Sequence, residues 1–142
     1  MFIAKQKFFG GSYAGALALF KDIEKDNPQD DVAKYYIGAC YYALGQYDNC
    51  RESLQKGQEA AKGKNIKINY LLGKIYQRSG EIDKAIEQYQ LLNNSGKADN
   101  AEKEEVKVLL MQCDVAKKLM SEPLNVNVSN LGAEINSRFD DK

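Results

Sequence analysis

A pattern of small and aromatic residues recurs about every 34 residues, and it constrains this chain more than any other feature of its sequence. The pattern is clearest over residues 31–63, where two amphipathic segments flank a turn centred on Gly45. Its marker residues are Gly38, Tyr41, Gly45, Tyr47, Cys50 and Leu54. Their counterparts 35 residues later are Gly73, Tyr76, Gly80, Ile82, Ala85 and Tyr89. The counterparts of the last four, 34 residues earlier, are Gly11, Tyr13, Ala16 and Phe20.

This period indicates helical hairpins that stack on one another. A single hairpin cannot bury its apolar face alone, so several must stack to form a continuous core. The period and the Gly-Tyr pattern resemble those of tetratricopeptide repeats. The resemblance implies an all-α fold, a right-handed solenoid of about three helical hairpins. Only Pro28 and Pro123 interrupt the chain, which favours helix in the long stretch between them.

Helical periodicity predicts where the helices of these hairpins begin and end. The predicted ranges are 2–9 and 13–24, then 31–43 and 48–61, then 67–78 and 82–92. Asp30 or Asp31 suits the cap of the third helix, because a short acidic side chain accepts hydrogen bonds from the exposed first-turn N–H groups. Gly45 and Gly80 follow helix ends, where a left-handed backbone is needed. Cys50 stands where the other hairpins have alanine, and we interpret it as a buried, packed thiol.

A long helix without the Gly-Tyr pattern is predicted over residues 101–120. Its apolar stripe consists of Val106, Leu109, Leu110, Cys113, Ala116 and Leu119. Because it follows the last hairpin, it is expected to cap the otherwise exposed end of the stack. We therefore assign residues 1–122 to a tetratricopeptide-repeat domain with a capping helix.

Residues 123–142 differ in character from the rest of the chain. Polar and apolar residues alternate over 125–131, which is the period of a strand rather than of a helix. A lone strand has no partner inside a helical solenoid. We therefore expect an extended, strand-like tail that begins a following domain.

The junction between the last helix and this tail is similar to a junction in a particular group of envelope proteins. The similarity rests on residues 113–119 and 123–126 and on the Asn-Leu-Gly, Ile-Asn-Ser and Phe-Asp-Asp groups within 130–141. It resembles the end of the repeat region in large OmpA-family outer-membrane proteins of the gliding and type IX secretion lineage. In those proteins a PD40 propeller follows the repeats, and a peptidoglycan-binding OmpA-like domain lies further on.

This second resemblance implies a function and a place in the cell. The tail would be the first propeller strand, and the protein would be periplasmic and associated with the outer membrane. The module would act as a non-catalytic scaffold for protein partners of the cell envelope. Peptidoglycan would be bound only through a domain beyond the present sequence.

Composition argues against several other functions. Twenty basic and twenty acidic residues give a formal net charge of zero, whereas nucleic-acid binders are usually basic, so no nucleic-acid partner is expected. No apolar run approaches the ~20 residues of a membrane span, so no direct membrane insertion is expected. The chain has no histidine, and its three cysteines stand at unrelated spacings. We therefore expect no catalytic residues, no metal site and no cofactor.

The first helices of stacked hairpins line a concave groove, and there we expect a protein partner to bind. The predicted groove residues are Phe8, Tyr35, Ala39, Tyr42, Lys67, Tyr70, Lys74, Gln77 and Arg78. An aromatic floor with a few cations suits an extended peptide. The alternative is that the tyrosines fill the interior of a tight superhelix, and this interpretation is favoured for Tyr41 and Tyr76.

Two other functions fit the repeats. A stand-alone tetratricopeptide adaptor of the cytosol would make the tail incidental. A glycan-capture lipoprotein built on helical repeats would need exposed tryptophans for sugar stacking, and the chain has no tryptophan. A carboxylate clamp for chaperone tails is not supported, because Tyr36 and Leu71 stand where polar clamp residues are expected.

Overall fold

The computed structural model describes residues 1–121, and this part of the chain is an all-helical solenoid without strands. Its seven helices are α1 (Phe2–Phe9), α2 (Tyr13–Asp26), α3 (Asp31–Ala43), α4 (Tyr47–Ala61), α5 (Ile66–Arg78), α6 (Ile82–Asn94) and α7 (Asn100–Ser121). Helices α1 to α6 form three hairpins, and each helix packs against the next along the chain. The predicted fold is confirmed, with small shifts at the helix ends.

Local sequence signals account for where the helices start and stop. The Asp30 carboxylate accepts a hydrogen bond from the Ala33 N–H at 3.0 Å, which caps α3 as predicted. Asn65 caps α5 in the same way by accepting from two first-turn N–H groups, at 3.1 and 3.3 Å. Gly45 and Gly80 have φ angles of 79° and 82°, the left-handed conformation that was expected after α3 and α5.

In the second hairpin and again in the third, a glycine allows the two helices of the hairpin to cross closely. A Cβ atom on Gly38 would lie 2.7 Å from Cδ2 of Leu54, and one on Gly73 would lie 2.4 Å from the ring of Tyr89. Both distances are far inside van der Waals contact, so these positions have no room for a side chain. Leu54 and Tyr89 are fully buried at the crossings. The repeated Gly residues therefore set the distance between paired helices.

Two apolar clusters run through the stack. The first joins the first hairpin to α3, and within it the rings of Phe20 and Tyr36 stack at 4.8 Å with 6° between their planes. The second extends from α3 to α7 and contains Cys50, Leu54 and Tyr89. Burying a large apolar side chain stabilises a fold by about 1.5–3 kcal/mol. These clusters therefore supply most of the cohesion between hairpins.

Polar side chains also join neighbouring hairpins. Arg51 of α4 makes a two-pronged ion pair with Glu81, the residue before α6, and one of its contacts, from Nη2 to Oε1, measures 3.0 Å. Hydrogen bonds from Arg51, Ser79 and Lys84 lower the pKa of Glu81 to about 2. This pair ties the second hairpin to the third.

Helix α7 packs against α6, and its N-terminus is capped reciprocally. The Asp99 N–H donates to the Glu102 carboxylate at 2.9 Å, and the Glu102 N–H donates to Asp99 Oδ1 at 2.8 Å. Val106 and Cys113 are buried, as predicted. The placement of Leu119 in the packed stripe is wrong, because it is 67% exposed. Six residues beyond Cys113 the helix has turned by about 240°, which carries Leu119 away from α6.

The predicted strand-like tail of residues 123–142 lies outside the described residues. Within residues 1–121, no helix is long and apolar enough to cross a membrane.

Candidate peptide-binding groove

The first helices of the hairpins follow one another along one side of the stack, and α7 continues the series. Helices α3 and α5 touch directly. The hydroxyl of Tyr70 on α5 donates a hydrogen bond to the carboxylate of Glu105 on α7, and Gln77 donates to Gln112 at 3.4 Å. Two adjoining cavities open on this side, and together we call them the groove.

The first cavity, of about 240 Å³, lies between α3, α5 and α7. Its lining combines aromatic, aliphatic and acidic side chains, namely Tyr35, Ile66, Lys67, Tyr70, Leu92, Glu102, Glu105 and Val106. Burial and the hydrogen bond to Glu105 raise the pKa of Tyr70, so its hydroxyl stays a neutral donor. Burial likewise raises the pKa of Tyr35. The cavity can therefore accept an apolar side chain while it offers hydrogen bonds at its edge.

The second cavity, of about 460 Å³, shares Tyr35, Ile66 and Lys67 with the first and is rich in lysine. Its four lysines are Lys5, Lys64, Lys67 and Lys97. Within residues 1–121, none of the four has a carboxylate oxygen within 4.0 Å. The carboxylate that lines the cavity, Asp31, accepts a hydrogen bond from Asn65 at 2.8 Å.

Three of these lysines make contacts that, within residues 1–121, leave their charge uncompensated. The Lys97 ammonium donates to the Lys64 carbonyl at 3.2 Å. Lys5 lies 5.4 Å from the centre of the Tyr36 ring, and Lys67 lies 5.9 Å from that of Tyr35. Cation–π contacts of this kind orient an ammonium group without neutralising it. The two cavities thus place a site lined by tyrosine, aliphatic and glutamate side chains directly beside a lysine-rich one.

Three of the predicted groove residues, Tyr35, Lys67 and Tyr70, meet at the first cavity. Lys74 lies beside them, with its ammonium 5.5 Å from the centre of the Tyr70 ring. Phe8 is half-buried and packs edge-on against Tyr36 with 5.3 Å between ring centres. Whether these side chains contact a partner stays a prediction.

The other four predicted residues are not among the side chains that line the two cavities. Ala39 is only 7% exposed and belongs to the core. Gln77 is engaged internally, since it accepts from the Tyr89 hydroxyl at 2.8 Å. Tyr42 packs against the ring of Tyr47 with 5.5 Å between ring centres, and Cζ of Arg78 lies 4.1 Å from the centre of the same ring.

Sequence reasoning missed Lys64, Lys97, Glu102 and Glu105 as groove residues. Glu105 could have been found, because it stands 35 residues after Tyr70, which stands 35 residues after Tyr35. The repeat register thus extends into α7. Lys97 lies in the loop before α7, and no periodic signal places a loop residue.

All three cysteines of the chain are buried. Burial raises the pKa of Cys40 to about 11 and that of Cys50 to about 12, so both thiols stay protonated and unreactive near neutral pH. In residues 1–121, no group of three or more acidic or cysteine side chains could hold a metal ion.

Comparisons with known proteins support a tetratricopeptide-repeat module. The tetratricopeptide-repeat family profile matches residues 10–64. The chaperone SycD of Yersinia enterocolitica, in complex with a peptide of the translocator YopD, is similar with a TM-score of 0.72 at 22% identity over 81% of this chain and 89% of SycD. The P58(IPK) TPR domain is similar with a TM-score of 0.79 at 20% identity, over 84% of this chain and 33% of that one. At such identities these likenesses show the fold alone.

A curated relative covers part of the chain. The BBSome complex member BBS4 of Bos taurus is 30% identical over 88 residues, which are 62% of this chain and 17% of BBS4. The chain thus spans about a sixth of the length of this relative.

Proposed function

We propose that this module is a non-catalytic scaffold that binds an extended segment of a partner protein in the groove. The observation that carries the proposal is the pairing of the two cavities. One is lined by tyrosine and aliphatic side chains with two glutamates, and the other holds four lysines without carboxylate partners among the described residues. Tetratricopeptide-repeat modules are protein-interaction scaffolds, which agrees with this arrangement.

The lining defines the kind of segment that fits. A large apolar side chain would fill the cavity between Tyr35 and Tyr70, where burial supplies affinity. An acidic residue nearby in the segment would lie among Lys5, Lys64 and Lys67, where complementary charge supplies specificity and association rate. An extended chain spans both cavities because they share Tyr35 and Lys67.

The comparisons are consistent with this function. The similar SycD structure holds a peptide of the translocator YopD, and BBS4 is a member of a protein complex. Binding a peptide and taking part in an assembly are both properties of scaffolds.

Selection from a displayed library of random peptides against the protein tests the proposal. We expect enriched peptides to carry Asp or Glu close to an aromatic or aliphatic residue. Tyr70→Phe keeps the ring and removes only the hydroxyl, and Lys67→Glu reverses one charge of the groove. Each should weaken binding of a selected peptide, Lys67→Glu by about tenfold or more.

The matched control is Lys25→Glu, which makes the same charge change at an exposed position of α2. It should leave peptide binding unchanged. A selection without acidic enrichment, or binding that survives Lys67→Glu, would overturn the proposal.

We further propose that the module works in the cell envelope, in the periplasm and associated with the outer membrane. The support is the similarity of residues 113–141 to the junction that precedes a PD40 propeller in OmpA-family proteins of the type IX secretion lineage. The gene sequence after Lys142 tests this directly, since propeller repeats are expected there. A stop codon at that point, or a native protein that fractionates with the cytosol, would favour a stand-alone adaptor instead.

A further inference from the structure

Helix α7 carries an exposed apolar stripe on the side that faces away from α6. The stripe consists of Val108, Met111, Val115 and Leu119, which are 51%, 60%, 57% and 67% exposed. Their spacing of three, four and four residues places them on one helix face, over a length of about 17 Å. Apolar side chains aligned in this way on a surface helix mark an interaction surface.

The repeat register shows what this face corresponds to. Val108 stands 35 residues after Gly73, and Met111 stands 35 residues after Tyr76. In the third hairpin those positions of α5 face the second helix of the hairpin, α6, since Gly73 packs against Tyr89. The stripe is therefore the face on which a first helix receives its partner helix.

The same register excludes a hairpin partner of the usual kind. Val115 stands 35 residues after Gly80, at the position of the turn, yet α7 continues through it to Ser121. Valine at position 108 also fills the space that glycine leaves open at position 73. A helix that returns immediately and crosses at the usual short distance would not fit. The face is thus shaped for a helix that approaches from elsewhere.

The charged residues beside the stripe are complementary to those of a second copy of α7 that lies antiparallel to the first. Lys107, Asp114 and Lys118 lie on one flank, and Glu104 lies at the N-terminal end. When two copies of α7 are laid antiparallel with Met111 at the crossing point, Lys107 faces Asp114 of the second copy, and Glu104 faces Lys118 of the second copy. Val108 likewise faces Val115 of the second copy.

These four charges are available for such pairing. Within residues 1–121, none of them takes part in an ion pair. On the opposite flank, Glu105 and Gln112 are already bonded to α5. The complementary flank is therefore the one that stays open.

We propose that α7 is a homodimerisation surface on which two copies of this chain pack antiparallel about a twofold axis at Met111. A twofold axis makes the surface self-complementary, so every contact occurs twice. The dimer leaves the groove free, because the groove lies on the opposite flank of α7. Peptide binding and dimerisation are therefore separable.

Disulfide trapping tests the position of the axis. In the 142-residue protein, Met111→Cys places two thiols opposite each other, and mild oxidation should yield a covalent dimer. The native cysteines are fully buried and do not compete. Val32→Cys, at an exposed position of α3, is the control and should stay monomeric under the same conditions. Equal rates of crosslinking for the two variants would overturn the proposal.

Charge reversal tests the pairing itself by sedimentation equilibrium. Lys107→Asp and Asp114→Lys each place like charges opposite one another, and each should raise the dimer dissociation constant about tenfold or more. The double variant restores opposite charges and should recover the original constant. A monomeric protein at all accessible concentrations, or a double variant no better than the single ones, would assign the stripe to another occupant, such as residues 122–142 or a different protein.

Discussion

The third hairpin and helix α7 follow the same repeat register, but they carry different residues at the position where paired helices cross. At the same repeat position the hairpin has Gly73, buried against the ring of Tyr89, and α7 has Val108, which is 51% exposed. The hairpin buries its interface between its own two helices, whereas among residues 1–121 the buried side of α7 is the one that meets α6. In the second and third hairpins the crossing position is therefore a glycine that lets the paired helix pack closely, and in α7 a valine stands at that position instead.

The difference also predicts where stability resides. Mutations at the hairpin crossings should destabilise the whole stack, because the apolar clusters connect each hairpin to the next. Mutations at the contacts between α6 and α7 should matter less, since residues 1–121 cover α7 on one side only.

The largest effect is expected for Tyr89→Ala. The side chain is fully buried between α5 and α6, and its removal leaves a cavity that the rigid helices cannot close. We expect a loss of about 3–5 kcal/mol in the free energy of unfolding, measured by urea denaturation. Tyr89→Phe is the control, since it removes only the hydrogen bond to Gln77 and should cost about 1 kcal/mol. Equal losses for both variants would show that the crossing is not tightly packed.

Gly73→Ala should have the next largest effect. The new methyl group would lie 2.4 Å from the Tyr89 ring, so the helices must move apart. Overpacking costs about 1–3 kcal/mol, and the better helix propensity of alanine returns about 0.5–1 kcal/mol of it. Gly38→Ala should cost less, because Leu54 can change its rotamer whereas a buried ring cannot. A Gly38→Ala loss equal to or above that of Gly73→Ala, in the same denaturation experiment, would contradict this ranking.

Much of this fold could be predicted from the sequence, because local residue patterns indicate where the helices begin and end. Glycines at helix ends and Asp30 before α3 encode structure within a few residues, and the 35-residue spacing of Gly38 and Gly73 reveals the repeat. Leu119 was misplaced for a different reason. Periodicity shows that α7 carries apolar residues on its surface. Which of its two apolar stripes is buried depends on how far α6 extends alongside it.

The candidate site was predicted less completely than the fold. Tyr35, Lys67 and Tyr70 lie on helices in repeat register, so their common location could be foreseen. The lysine-rich cavity also needs Lys97, from the loop before α7. The loop is aperiodic, and only tertiary packing brings it beside Lys64.

The ion pair between Arg51 and Glu81 offers a smaller test of the tie between hairpins. The pKa of Glu81 is lowered from 4.5 to about 2, so the folded state prefers the carboxylate more strongly than the unfolded chain does. Its contribution is complete above about pH 4.5 and disappears as the pH falls towards about 2. We expect Glu81→Gln to lower the melting temperature at pH 7 by less than Gly73→Ala does. The difference from the wild type should shrink between pH 4.5 and 2, and a constant difference across that range would contradict the assignment.

The smallest effect is expected at the pair between Lys117 of α7 and Asp83 of α6. Its atoms are 2.8 Å apart, and the hydrogen bond to Asp83 raises the pKa of Lys117, but both side chains are more than half exposed. Exposed pairs contribute little and are screened by salt. Lys117→Gln should therefore shift the melting temperature by about 1 °C or less, and the shift should vanish in high salt. A loss as large as that of Glu81→Gln would show that α7 is fastened to the stack as firmly as the hairpins are to one another.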